Sequence, residues 1–279
     1  MSRVDAHHHV WDLSVREQSW MIGPELDPIR RNFTITDLAP LAAAADVTAT
    51  VLVQTVGVLQ ETVEFLEIAA SNDLVAGVVG WVDLTAPDIA DTLASLQARP
   101  DGSYLKAIRH QVHDEPDNDW LLRPDVQRGL AAVAEAGLAY DLLTKTPQLP
   151  AAIRTVRNLP QLTFVVDHIS KPVIGDPLDP WATHLRELAA QPNVTCKLSG
   201  MVTEANWTTW KTADLQPYAD VVLDSFGPNR VMFGSDWPVC LLAATYAEVV
   251  ETARTLTAAL TPTEQEAIFT TTATRTYRL

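Results

Sequence analysis

Eight short apolar segments, separated by longer amphipathic ones, run through almost the whole chain of 279 residues. Several of the short segments are near-continuous in β-branched and apolar residues, for example 50–53 and 164–166, which is typical of parallel strands buried on both faces. The segments that predict strands are residues 3–9, 49–54, 75–83, 104–112, 138–143, 162–168, 193–199 and 230–236. The segments that predict helices are residues 59–70, 87–98, 124–136, 147–157, 181–190, 215–226 and 244–260.

Eight strands alternating with helices indicate an α/β fold, a single closed (β/α)₈ TIM barrel. An open doubly wound sheet is the alternative, but no G-x-G-x-x-G motif follows the first strand as that fold favours. The length suits a barrel of about 250 residues, and no repeat or low-complexity linker divides the chain. We therefore predict one barrel domain over residues 1–279.

The chain carries 35 acidic and 20 basic side chains, which gives a formal net charge of −15. A field of this sign repels nucleic acid and anionic membranes, so we expect neither as a partner. The two cysteines, Cys196 and Cys240, form no C-x-x-C pair and exclude a disulfide framework. No apolar signal segment and no run of about 18 apolar residues occurs. These features favour a soluble cytoplasmic enzyme with a small-molecule substrate, and they leave a homo-oligomer open.

The first predicted strand ends in three consecutive histidines, His7, His8 and His9. Because residues two apart on a strand point to the same side, His7 and His9 can converge on the barrel axis while His8 faces away. Two imidazoles in a barrel mouth can ligate a metal or polarise a carbonyl group. Taken alone, the motif would favour surface histidines over a functional pair. The remnant of an affinity tag is a poorer interpretation, because the three histidines lie inside a strand pattern.

Two further ionisable residues follow apolar strands, His168 after the sixth and Asp236 after the eighth. Alone, His168 would be read as a hydrogen-bonded core histidine, and Asp236 as a helix cap or turn residue before Pro238. In this barrel class, however, active sites lie at the carboxyl ends of the strands. His7, His9, His168 and Asp236 are therefore expected to form one site.

Basic side chains also occur at strand ends. Arg109 ends the fourth strand, where its planar fork of donors suits a lactone oxygen, and a salt bridge with Asp114 or Glu115 is the alternative. Lys197 lies near the end of the seventh strand. In a chain of this negative charge it could contribute to a local pocket for an anion, although a solvated turn lysine is the default interpretation.

Eight tryptophans are many for a chain of this length. Trp11, Trp120 and Trp237 follow strands or lie in strand-to-helix loops, where an indole could offer a flat apolar face and an N–H donor to a sugar ring. Trp81, Trp181, Trp207 and Trp210 are interpreted as packing residues.

The four candidate site residues are embedded in motifs that recur in order along the chain. The segments that carry the likeness are residues 5–12, 108–111, 137–143, 166–172, 193–200 and 230–240. On these motifs the chain resembles the amidohydrolase superfamily, within it the amidohydrolase-related branch of sugar and pyrone lactonases, and most closely proteins of the L-fuconolactonase type.

The resemblance implies a hydrolase that opens a sugar-derived lactone of the L-fucono, L-galactono or L-rhamnono type, with a 1,4 or 1,5 ring, to the aldonic acid. Asp236 would be the general base that activates water, while His7, His9, His168 and Arg109 would polarise the carbonyl group. Trp11, Trp120, Trp237 and Lys197 would join Arg109 in binding the substrate. The alternatives are hydrolysis of pyrone or muconolactone-type lactones, amide hydrolysis and metal-dependent decarboxylation. A non-catalytic binding barrel is disfavoured, because it would not need a base beside three imidazoles.

The residues also depart from the two-metal members of the superfamily, which use a bridging lysine and a second middle-strand histidine. Here the fifth strand offers Asp141, and Lys106 lies early in the fourth strand. Neither residue is well placed to complete a two-metal site. The resemblance therefore implies either no cofactor or one divalent ion, Zn²⁺ or Mn²⁺, held by His7, His9, His168 and Asp236.

Overall fold

Eight parallel strands pair in chain order in the computed structural model, which describes residues 2–279. They are β1 (Arg3–His8), β2 (Val47–Val53), β3 (Val75–Gly80), β4 (Leu105–His110), β5 (Ala139–Leu142), β6 (Phe164–Val166), β7 (Val194–Leu198) and β8 (Val231–Phe233). The sheet closes on itself beyond the end of β8: the His9 N–H donates to the Trp237 carbonyl at 2.7 Å, and the Asp236 N–H donates to the His7 carbonyl at 2.8 Å. The predicted TIM barrel is confirmed, and the open sheet is not formed.

Helices connect the strands and cover the outside of the barrel. They are α1 (Ile35–Ala44), α2 (Leu59–Ala70), α3 (Ile89–Gln97), α4 (Pro124–Glu135), α5 (Leu149–Asn158), α6 (Trp181–Ala189), α7 (Thr212–Phe226), α8 (Tyr246–Leu256), α9 (Pro262–Glu266) and α10 (Thr272–Tyr277), with a π-helical turn at Ala267–Thr271 joining the last two. Met1 lies outside the described residues. Within residues 2–279, no helix is long and apolar enough to cross a bilayer.

Two helical regions were not predicted from the sequence. Helix α1 contains Pro40, which normally interrupts a helix, but a capping box between Thr34 and Asp37 starts it. The segment 262–277 is rich in threonine, which has low helix propensity. Its buried residues, among them Phe269 and Tyr277, pack against the barrel, so tertiary packing overrides local preference.

The barrel interior toward the amino ends of the strands is apolar. Its core consists of one or two inward-facing residues from each of seven strands: Val4, Ala6, Val51, Val53, Val79, Ala107, Ala139, Val165 and Met232. Tyr277 joins this cluster from the C-terminal segment, and Lys106, at the start of β4, donates to the Arg278 carbonyl at 3.1 Å. The C-terminal segment therefore covers the amino ends of the strands, opposite the predicted site.

Candidate active site

The histidine motif lies on an irregular stretch of β1. Asp5 pairs with Thr50 and His8 pairs with Leu52, so three steps on β1 match two steps on β2. Such a bulge re-aims side chains. The Nε2 atoms of His7 and His9 lie 3.2 Å apart, whereas His8 faces away, with its Nε2 atom 2.9 Å from the Thr50 hydroxyl. The convergence of His7 and His9 is as the alternation predicts.

His168 reaches the site from an unusual turn. Residues 168–171 all have positive φ angles, of 49°, 49°, 61° and 48°, and none of them is glycine. A left-handed backbone is unfavourable for such residues, especially for the β-branched Ile169. Within the turn, the Ile169 carbonyl accepts a hydrogen bond of 2.7 Å from the Trp181 indole. The His168 Nδ1 atom lies 2.8 Å from the Ser199 hydroxyl, so one hydrogen bond holds the backbone of the turn and another holds the ring.

Asp236 lies just beyond β8 and brings the cluster together. Its Oδ1 atom is 3.3 Å from His9 Nε2, 3.7 Å from His168 Nε2 and 3.8 Å from His7 Nε2. All four side chains are at least nine-tenths buried. The structure therefore brings the four predicted residues together at the carboxyl end of the barrel, with three imidazoles around one carboxylate oxygen.

Burial sets the protonation of this cluster. Burial lowers the pKa of His168 to about 4, and burial together with the nearby Lys197 ammonium holds the pKa of His7 well below its ordinary value. Burial opposes ionisation of Asp236, but interactions with His168, His9 and His7 outweigh it and lower the pKa of that carboxyl. At neutral pH the site therefore combines a carboxylate base with uncharged His7 and His168 rings.

Arg109 lies below the cluster, two residues beyond the interior residue Ala107. Its Nη1 atom is 2.9 Å from Asp167 Oδ2 and 3.3 Å from His7 Nε2. Its Nη2 atom donates to the side-chain oxygen of Gln54 at 2.9 Å and also to the Gln54 carbonyl. Arg109 therefore pairs with Asp167 rather than with Asp114 or Glu115, and it contacts the site through His7.

Lys197 lies in the same layer and is fully buried within β7. Its ammonium group is 2.6 Å from Asp141 Oδ2, 2.9 Å from Asp167 Oδ1 and 3.1 Å from His7 Nδ1. A lysine has three N–H donors, and three acceptors of the protein surround this one. The default interpretation as a solvated turn lysine is wrong, because this side chain has no contact with solvent.

Asp141 was considered in the sequence only for a two-metal site, and the contacts of Asp167, Ser199 and Tyr277 were not predicted. Asp167 and Asp141 form the ion pairs with Arg109 and Lys197, Ser199 holds His168, and the Tyr277 hydroxyl donates to Asp141 Oδ2 at 2.7 Å. The alternation of side chains along a strand could have indicated Asp141 and Asp167, because each lies two positions after an inward-facing residue of the barrel. No local signal marks Tyr277, because it comes from the far end of the chain.

The three tryptophans expected to face a sugar are packed into the walls around the barrel mouth. The Trp11 indole donates to the Arg31 carbonyl at 2.7 Å, and Trp120 stacks on His110 with ring centroids 4.3 Å apart. Trp237 packs edge-to-face on Phe33 at 5.3 Å. Each of the three indoles is at least 95% buried, so none presents an open face in this structure.

A cavity of about 560 Å³ lies beside Trp11, outside the barrel mouth. Phe33, Phe65 and Ile68 form part of its wall, and Arg16 pairs with Glu64 at its edge. None of the four cluster residues lines it. This cavity is therefore a feature of the α1–α2 side, separate from the buried cluster.

The donor set of the cluster is suited to a divalent ion. One ligand atom each from His7, His168 and Asp236 can be chosen so that all lie within 4.8 Å of one another, and neutral imidazoles with a carboxylate are the ligands that Zn²⁺ takes in catalytic sites. His9 is arranged likewise, since its Nδ1 atom donates to the Val53 carbonyl at 2.7 Å and leaves Nε2 free. The Arg109 and Lys197 cations next to His7 oppose such an ion.

Comparison with known proteins places these residues in a family context. The family model described as amidohydrolase matches residues 4–279. An L-fucono-1,5-lactonase of Burkholderia multivorans is 37% identical over 99% of this chain and 96% of that relative. One of Burkholderia ambifaria is 39% identical over 88% of this chain and 83% of that relative. A crystal structure of an amidohydrolase from B. multivorans with bound zinc is 36% identical, covers both chains completely and superposes with a TM-score of 0.94.

Proposed function

The chain belongs to the amidohydrolase family, as its motifs predict, and on this premise we propose that it is a lactonase. Its substrate would be a sugar-derived lactone of the L-fucono, L-galactono or L-rhamnono type, and its product the aldonic acid. The sequence identities of 37% and 39% to two L-fucono-1,5-lactonases support the substrate class. The observation that carries the chemistry is the single Asp236 carboxylate with three imidazole Nε2 atoms within 3.8 Å.

Hydrolysis begins when Asp236 accepts a proton from water and the water oxygen attacks the lactone carbonyl carbon. The oxygen of the tetrahedral intermediate then carries negative charge. His7 and His168 stabilise that charge through their N–H groups, with the Arg109 cation 3.3 Å from His7 adding positive potential. His9 donates its Nδ1–H to the Val53 carbonyl and acts through its contact with His7 Nε2. The intermediate collapses, the bond from the carbonyl carbon to the ring oxygen breaks, and Asp236 returns the proton to that oxygen.

The product is a hydroxy acid that ionises at neutral pH, and its carboxylate is repelled by Asp236. Trp11, Trp120 and Trp237 pack in the walls around the barrel mouth and would shape the sugar pocket from there. A divalent ion, when held by His7, His168 and Asp236, supplies further polarisation of the carbonyl group and lowers the pKa of bound water. The base comes from the chain in either case.

Ring opening releases one proton, so a pH-indicator assay on a panel of lactones tests this function directly. The panel should contain 1,4- and 1,5-aldonolactones, a pyrone dicarboxylate lactone and an aromatic amide. We expect turnover of aldonolactones by the parent protein and a large loss in Asp236→Asn. Turnover of the pyrone or the amide with none of the aldonolactones would contradict the proposal.

A further inference from the structure

The fully buried Lys197 is not part of the chemistry proposed above, although its ammonium group lies only 3.1 Å from His7 Nδ1. An ammonium group can only donate, so in this contact the His7 Nδ1 atom must accept. A neutral imidazole with an accepting Nδ1 carries its proton on Nε2. The contact with Lys197 therefore favours one tautomer of His7.

A second contact on the other side of His7 favours the same tautomer. The His9 Nδ1 atom lies 2.7 Å from the Val53 carbonyl, which can only accept, so His9 carries a proton on Nδ1. Asp236 Oδ1, an acceptor, lies 3.3 Å from the other ring nitrogen, His9 Nε2, which is also an acceptor in the neutral ring. His7 Nε2 lies 3.2 Å from that atom. If His7 carried its proton on Nδ1, two lone pairs would face each other across this short distance.

Two longer contacts favour the opposite tautomer. Arg109 Nη1 directs an N–H at His7 Nε2 from 3.3 Å, and Asp167 Oδ1 lies 3.4 Å from His7 Nδ1. Each of these groups also has a shorter ion pair, Arg109 with Asp167 Oδ2 at 2.9 Å and Asp167 Oδ1 with Lys197 at 2.9 Å. The two shorter contacts of His7 are thus the ones that the Nε2–H form satisfies.

We propose that Lys197 is a positioning residue, which holds the His7 proton on Nε2 and thereby orients an N–H donor toward His9 and Asp236. The donors then run in one direction, from Lys197 to His7, from His7 to His9 and from His9 to the Val53 carbonyl. The catalytic value of this order rests on the proposed function, because it matters only if His7 and His9 act on a substrate. The direction of these hydrogen bonds does not depend on the proposed function.

The floor of the barrel fixes Lys197 in turn. Asp141 Oδ2 accepts from Lys197 at 2.6 Å and from the Tyr277 hydroxyl at 2.7 Å. All three side chains are fully buried, and removing one partner from a buried charged pair leaves the other uncompensated. Tyr277 belongs to the C-terminal segment, so the third residue from the end of the chain supports the orientation of a histidine near its beginning.

Nitrogen-15 NMR of histidine-labelled full-length protein, kept in chelator, reads the tautomer without reference to activity. The His7 signals are assigned by their disappearance in His7→Gln. We expect His7 in the parent protein to show a protonated Nε2 and an unprotonated Nδ1. In Lys197→Met, we expect the proton to move to Nδ1, where Asp167 can accept it, whereas Lys197→Arg should keep the parental pattern.

Lys106→Met is the matched control, because it removes another lysine of the barrel at the opposite end of the strands and should leave the His7 signals unchanged. In the activity assay, Lys197→Met should lower kcat about 10–100-fold with little change in KM, because Lys197 does not touch the substrate. Tyr277→Phe should show a smaller loss of kcat in the same direction.

A His7 protonated on Nδ1 in the parent protein would overturn the proposal, and so would an unchanged tautomer in folded Lys197→Met. If Lys197→Met does not fold, the parental spectrum still decides the tautomer, and Tyr277→Phe tests the support from the barrel floor. If the chain turns over no lactone, the proposed function fails while the spectra still decide the role of Lys197.

Discussion

The His168 ring packs directly against the α-carbon of Gly200: a Cβ atom added to Gly200 would lie 2.6 Å from the ring atoms Cγ and Nδ1. Real Cβ atoms do not approach other atoms so closely, so an alanine here must displace the imidazole. Gly200 follows Ser199, whose hydroxyl holds the same ring. The end of β7 therefore determines where His168 can lie.

Gly200→Ala is expected to lower kcat by at least tenfold, because a shift of even 1 Å in a reacting group has large effects on rate. Gly227→Ala is the matched control. Gly227 has a φ of +69° against +66° for Gly200, but nothing lies within 4 Å of its added Cβ. Both variants should lose stability in urea unfolding because of the positive φ, Gly200→Ala the more because of the clash with His168, and only Gly200→Ala should lose activity. Equal activities in the two variants would contradict the role of this contact.

Asp236→Asn keeps the shape of the side chain and removes its ability to accept a proton. We expect the variant to fold and its kcat to fall by about 10²–10⁴, which corresponds to roughly 3–5 kcal/mol of transition-state stabilisation. Thermal melting and the pH-indicator assay on the best lactone measure the two quantities. A folded variant with near-parental turnover, free of contaminating parent enzyme, would exclude Asp236 as the base.

The barrel and its four-residue cluster could be predicted because their signals are local and repeat. Each strand is a short apolar run, and each candidate residue stands at or just after the end of one, as His168 does after β6. Since parallel strands of a barrel share one carboxyl end, position in the strand fixes position in the site. The irregular pairing of β1 did not disturb this prediction for His7 and His9.

The layer below the cluster could not be predicted in the same way. The partners of Lys197 come from β5, from the residue directly after β6 and from β1, and their pairing depends on which inward-facing residues lie at the same height in the barrel. The hydrogen bond of Tyr277 joins residues 136 positions apart. The left-handed turn at residues 168–171 contradicts local backbone preference, and it exists only because surrounding side chains hold it.

The contribution of the buried histidines His168 and His8 to the free energy of unfolding should decrease as pH falls from about 6.5 toward 4. Burial lowers the pKa of His168 to about 4 and that of His8 to about 3, so the unfolded chain binds these protons first. The stability from the neutral rings is complete above pH 6.5 and is lost progressively toward the folded-state pKa values. Each histidine adds about 1.4 kcal/mol per pH unit to the slope within its window.

His8 allows this effect to be isolated, because it faces away from the cluster and contacts the Thr50 hydroxyl. His8→Gln keeps a hydrogen-bonding side chain that does not titrate. Urea unfolding at several pH values between 7 and 4 gives the free energy of unfolding as a function of pH. The slope of this dependence should be smaller in the variant than in the parent, by the amount that corresponds to about one bound proton. Parallel slopes for the two proteins would show that His8 is not held neutral in the folded state.

Removal of metal ions should leave lactone turnover nearly unchanged. The Lys197 ammonium is 3.1 Å from one nitrogen of His7 and the Arg109 guanidinium is 3.3 Å from the other, and both cations oppose a third positive charge at this ring. Activity is measured before and after chelation, with metal content determined on the same samples. Loss of activity on chelation and its recovery with stoichiometric Zn²⁺ would instead assign the polarising role to a bound ion.

Trp181→Phe removes the indole N–H that donates to the Ile169 carbonyl and retains most of the apolar ring. That carbonyl lies in the left-handed turn, whose strain persists only while surrounding contacts hold it, so the turn should relax and His168 should leave its place beside Asp236. We expect kcat to fall while KM changes little.

Trp210→Phe is the matched control: its indole donates to the Ala243 carbonyl at 2.9 Å, so it loses the same kind of hydrogen bond at a distance from the turn. Both variants should lose about 1 kcal/mol of stability, and the activity of Trp210→Phe should stay near that of the parent. If Trp181→Phe also keeps parental turnover, the other contacts of the turn, such as that between Thr144 and Ser170 at 3.0 Å, are sufficient to hold His168.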